Sequence, residues 1–179
     1  MGQVTDKPRS RRYGRRALLI GGAGVAAVAA VSAPVWFGGP SARGRKWLSA
    51  TEAAAALALA DTLFPPGSEP GMPTAAEVDL LGNLDEAVGW MAPEVRRLLK
   101  LGLRAFEYAT VPGHFARFST LGRPARTAVI RGWERSPSYS KQLIILSLRF
   151  QVGIAYFESD AARKACGWSL GCTPSTSEG

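Results

Sequence analysis

Histidine is almost absent from this chain: His114 is the only one among 179 residues. A metal centre built from several histidines is therefore excluded, and the Pro112-Gly113-His114 setting reads as an exposed turn, not as a catalytic base. Cysteine is nearly as scarce, with Cys166 and Cys172 alone, and no Cys-x-x-Cys-His attachment for haem is present. Runs of alternating apolar and polar residues are missing too, which leaves the all-α class. No phosphate-binding glycine loop and no serine triad can be assembled; Gly21-Gly22-Ala23-Gly24 has suitable glycines but no strand before them. Asp61, Asp79 and Glu107 each fall near the edge of an amphipathic helix, where solvated carboxylates are ordinary. No spacing commits two of them to one pocket. The chain thus lacks the parts of an enzyme acting by itself.

A basic stripe is missing as well, despite a formal net charge of +8. Lys7, Arg9, Arg11, Arg12, Arg15 and Arg16 against Asp6 place +5 of that charge in the first 42 residues, leaving +3 for the rest. Arginines scattered from Arg43 to Arg163 do not make a nucleic-acid footprint.

What is present begins at the amino terminus. Arg15-Arg16 precede Ala17-Leu18-Leu19-Ile20 and an uncharged stretch to Phe37. A basic region, an apolar middle and small residues beyond it are the parts of a secretory signal. Gly14-Arg15-Arg16-Ala17-Leu18-Leu19 resembles the twin-arginine signal, whose translocase carries proteins already folded. The alternative is a retained membrane anchor. As a helix, Ala17 to Phe37 would reach about 31 Å, enough to cross a hydrocarbon core. Its Ala and Gly content makes it mildly apolar, as the twin-arginine route favours.

Three cut sites are open. Val31-Ser32-Ala33 has small residues where a peptidase wants them, but Pro34 follows and obstructs cleavage. Ala30-Val31-Ser32 and Pro40-Ser41-Ala42 are the others. The expected organisation is a signal or anchor over 1–42, a helical domain over 43–172 and a loose polar tail over 173–179. Protein at this location is periplasmic, or bound to the outer face of the cytoplasmic membrane.

Helical periodicity and helix punctuation run through the domain and predict a small irregular bundle of about five to six helices. Ser49-Ala50-Thr51-Glu52 forms a capping box before Ala53, Ala56, Leu57, Ala60 and Phe64, and Pro65-Pro66-Gly67 ends that helix. Thr74-Ala75-Ala76-Glu77 is a second box, ahead of Val78, Leu81, Leu84, Val88 and Met91. Pro93 opens a third helix whose buried side is Val95, Leu98, Leu99, Ala105, Phe106 and Ala109, opposite Glu94, Arg96, Arg97, Lys100 and Arg104. Thr110 to His114 breaks it. After a short aromatic segment around Phe118, a helix over 124–135 presents Ala125, Val129 and Trp133. The strongest helix, 138–158, turns Leu143, Leu146, Phe150, Ile154 and Phe157 one way and is apolar on other sides too, so it is expected at the centre of the bundle.

Leu48-Ser49-Ala50-Thr51-Glu52, followed by Leu57 to Pro66, resembles the opening of the gluconate 2-dehydrogenase subunit 3 family. Ile154-Ala155-Tyr156-Phe157-Glu158-Ser159-Asp160, then Arg163 and Gly167-Trp168, is similar to its close. Gly71-Met72-Pro73 and Trp168 depart from the usual Gly-Ala and tyrosine. The resemblance implies a non-catalytic small subunit with no cofactor of its own. Its partner would be a large flavoprotein dehydrogenase of the glucose-methanol-choline type, carrying FAD and often joined by a cytochrome c subunit. The flavoprotein would travel through the twin-arginine translocase as a passenger. A free-standing exported or membrane-anchored helical binding protein is the alternative.

In an oxidising periplasm Cys166 and Cys172 pair with each other, or one bridges to the large subunit. Phe64, Pro65, Pro66, Tyr156, Phe157 and Trp168 are candidate partner contacts, with the domain core as their other destination.

Overall fold

The computed structural model describes residues 40–65 and 71–168. Arg15, Arg16, Leu18, Leu19, Pro66 and Cys172 lie outside the described residues. Seven helical segments follow in order: α1 (Ala50–Leu63), α2 (Leu80–Trp90), α3 (Pro93–Tyr108), α4 (Val111–His114), α5 (Arg123–Glu134), α6 (Tyr139–Phe157) and α7 (Asp160–Ala165). A 3-10 turn, Phe118–Thr120, sits between α4 and α5. No strand occurs among the described residues, so the fold is an all-α bundle.

The capping box at α1 forms as the sequence predicts: Ser49 Oγ accepts from the Glu52 amide at 3.4 Å, and Glu52 Oε2 accepts from the Ser49 amide at 2.8 Å. α1 is buried nearly all round, through Ala53, Ala55, Ala56, Ala58, Leu59 and Ala60. It packs against α2, α3, α5, α6 and the 3-10 turn. The sequence reading put the 138–158 helix at the centre; the helix enclosed on every side is α1. Alanine explains the difference, because a methyl group lets neighbouring helices approach closely from several directions.

Around α1 the core gathers Leu48, Leu80, Leu84, Leu103, Phe106, Phe118, Ile145, Leu148 and Tyr156. Phe106 meets Phe118 at a centroid distance of 4.4 Å and takes the Trp133 ring edge-on at 4.9 Å. Truncating a ring in such a cluster typically costs about 3–5 kcal/mol.

Two boundaries depart from the sequence reading. The Thr74–Glu77 box forms, with both of its hydrogen bonds, but turns occupy 75–79 and α2 starts only at Leu80. Asp79 sets that start. Its φ of 45° is left-handed, a conformation that aspartate tolerates, and its Oδ1 accepts from the Gly82 amide at 3.2 Å. The segment expected to break the third helix adds one helical turn, α4. At the other end α7 closes on Gly167 at φ 68°.

Buried faces also differ. On α3, Leu99, Leu103 and Phe106 are buried as an apolar face should be, but Val95, Leu98 and Ala109 are exposed. Lys100 and Arg104, expected on the outer side, turn instead toward Glu52. On α6 the buried residues are Ile145, Leu148, Val152, Ala155 and Tyr156. Leu143, Leu146, Phe150 and Ile154, expected in the core, face outward. A helix apolar on every side contains no signal that selects one face; its neighbours make the choice.

Candidate functional site

The outward face of α6 is the most unusual surface of the domain. Tyr139, Leu143, Leu146, Phe150 and Ile154 recur at intervals of three and four, so they form one stripe along the helix. Phe150 is 64% exposed and Leu146 65%. No charged residue falls within this stripe. Val95 and Leu98 extend it onto α3; past Ile154 the surface turns polar at Glu86 and Glu158 before it reaches Trp90, 85% exposed at the end of α2.

Between α3 and α6 runs a groove of about 580 Å³. Leu99, Gly102, Ile144 and Leu148 form its floor, and its lining includes no charged side chain. Gly102 has no side chain to fill the space; a Cβ there would lie 3.7 Å from Ile144 Cγ2 and Leu148 Cδ2. The groove and the stripe beside it make one exposed apolar surface along α3 and α6.

Comparisons with protein-family models, with curated proteins and with solved structures return no match.

The titratable groups serve the fold. Glu52 is fully buried and pairs with Arg104 Nε at 2.9 Å and Lys100 Nζ at 3.5 Å. Glu107, expected at a solvated helix edge, is fully buried; its carboxylate accepts from the Ser119 amide at 3.0 Å and from the Ser119 hydroxyl. It fastens the 3-10 turn to α3. Asp61 joins α1 to α5 through Arg123 at 3.0 Å and Arg126 at 2.8 Å, and Asp79 pairs with Arg45 at 2.6 Å. His114 is exposed. Among the described residues, no three histidine, cysteine or carboxylate side chains are grouped to hold a metal ion. No helix among them is long and apolar enough to cross a membrane.

The candidate contact residues divide. Tyr156 is fully buried, its ring stacked on Phe64 at 4.3 Å and its hydroxyl donating to the Pro73 carbonyl. Burial pushes that phenol above its ordinary pKa. Phe157 meets Phe64 edge-on at 5.4 Å, so these three rings form one cluster, and Pro65 beside them is half-buried. Among the described members of the set, Trp168 alone stands exposed. Cys166 is exposed at the end of α7. The α6 stripe was missed because its residues read as core. The available signal was excess: α6 holds more apolar side chains than one packed face can bury.

Proposed function

We propose that this chain is a non-catalytic small subunit that binds a larger flavin dehydrogenase of the glucose-methanol-choline type and escorts it through twin-arginine export. The observation carrying this reading is the uncharged apolar face of α3 and α6, in a chain whose amino terminus resembles an export signal. An open apolar surface along two helices suits a folded protein partner better than a small metabolite. FAD would belong to that partner and must be inserted before export, which requires a translocase that carries folded cargo. The opening and closing motifs over 48–66 and 154–168 support the choice of partner, which oxidises a sugar, sugar acid or alcohol. Periplasmic delivery, with association at the outer face of the cytoplasmic membrane, follows from the same reading.

The test is co-expression of the flavoprotein with this chain carrying Arg15→Lys and Arg16→Lys. Both proteins should then stay in the cytoplasm, with loss of periplasmic flavin dehydrogenase activity. Normal export of the flavoprotein beside the variant would refute the escort role.

A further inference from the structure

The chain enters the fold at a fixed point. The Pro40 carbonyl accepts from the Ala50 amide at 2.9 Å, and the Ala42 amide donates to the Leu48 carbonyl at 2.9 Å. Both oxygens of the Asp85 carboxylate accept amides of the same loop: Lys46 at 2.9 Å, Trp47 at 2.8 Å and Leu48 at 2.8 Å. Everything before Pro40 is therefore tethered at the start of α1. The other end of α1, about 20 Å away, meets the end of α6, where Phe64 stacks on Tyr156.

Along α6 toward that end the surface changes character. From Leu143 to Gln151 the groove against α3 is lined without a charged side chain. Beyond it, a cleft of about 270 Å³ between α2 and α6 is lined by Glu86, Trp90, Ile154 and Glu158, with no basic side chain among its walls. Both carboxylates are exposed, and no basic side chain among the described residues pairs with either. Asp61, Asp79, Glu134 and Asp160, by contrast, each have an arginine. Arg163, close by in the chain, is held by Asp160 and by the Phe157 carbonyl. Two unanswered carboxylates beside an exposed indole suit a pair of guanidinium groups.

The chain before Pro40 carries matching chemistry in matching order. Read back from Pro40, it is uncharged to Ala17 and then reaches Arg16 and Arg15. Read toward Tyr156, the surface is apolar and then acidic. Residues 17–39 extend up to about 80 Å, whereas α6 rises only about 22 Å from Leu143 to Glu158, so the tether reaches. Tethering also presents the segment to the groove at an effective concentration on the order of millimolar. We propose that the first occupant of the groove is this segment of the same chain. Before export, residues 17–37 cover the apolar face of α3 and α6, and the Arg15-Arg16 pair sits among Glu86, Glu158 and Trp90. A flavoprotein docking on that face displaces the segment, so the signal comes free only when cargo is bound. This displacement step rests on the escort reading of the face; the docking of the segment does not.

The test uses the full-length chain with benzoylphenylalanine in place of Leu98, which is 68% exposed on the groove wall. It is purified from the cytoplasm without detergent, irradiated, and its cross-links mapped by mass spectrometry. Links to residues 17–37 in a product of monomer mass are expected. Links to a second copy, or none to that segment, overturn the proposal. Glu86→Lys with Glu158→Lys should cut the yield by about fivefold or more, and adding Arg15→Glu with Arg16→Glu should restore it. All four positions lie outside the core, so circular dichroism should not change. A yield indifferent to the charge swap overturns the placement of the arginine pair. Adding the flavoprotein should remove the cross-link in proportion to the fraction bound. A chain that binds the flavoprotein but never links to its own segment overturns the proposal and leaves the escort reading standing. A link that persists in the flavoprotein complex overturns the displacement step and the shared face, and leaves the docked segment standing.

Discussion

Replacing Phe150 with alanine separates binding from folding. Phe150 is 64% exposed on the outer stripe of α6. With about 200 Å² for a fully exposed ring, some 130 Å² remains for a partner to cover. At about 25 cal/mol per Å², that burial contributes about 3 kcal/mol, or roughly a 150-fold change in Kd. In the free chain the ring leaves few contacts behind, so stability should shift by less than about 1 kcal/mol. The assay is titration calorimetry of the purified chain against the proposed flavoprotein partner, paired with thermal unfolding of the chain alone. Leu146→Ala, on the same stripe and 65% exposed, should behave alike. Unchanged affinity with Phe150→Ala would refute the stripe as the docking face. A large loss of stability in the free subunit would show that the ring belongs to the fold.

Two further outcomes test the interior and the pH response. Asp85→Asn keeps one acceptor oxygen but loses the charge that strengthens three backbone bonds; it should cost about 2–4 kcal/mol and lower Tm by roughly 10 °C in a thermal melt. Hydrogen bonds from Thr74 hold the Glu77 carboxyl below its ordinary pKa, and the Arg163 guanidinium does the same for Asp160. Depressed carboxylates lend stability that is complete above their unfolded values and lost as pH falls through their folded ones. Stability should therefore decline below about pH 4, and Thr74→Ala should move the Glu77 midpoint part-way up in an NMR titration.

Local features of the fold were legible where one residue type admits one conformation. Ser49 with Glu52 announced the start of α1, and Pro93 the start of α3. Glu107 was misread because a carboxylate on a helix edge looks the same in sequence whether it meets water or Ser119. Asp85 drew no notice for the same reason: its three amide partners lie 37 to 39 residues away in the chain.

The sequence by itself determined the all-α class, the starts of α1 and α3, the resemblance of the amino terminus to an export signal and the scarcity of histidine and cysteine. Each of these depends on residue identity or on spacing within one turn or one segment. Tertiary structure alone decided that α1 is the enclosed helix, that Asp85 holds the loop before it, and that the apolar side of α6 looks outward. Which of several apolar faces is buried depends on how many neighbours can reach each one, a property of the assembled bundle and not of any one helix.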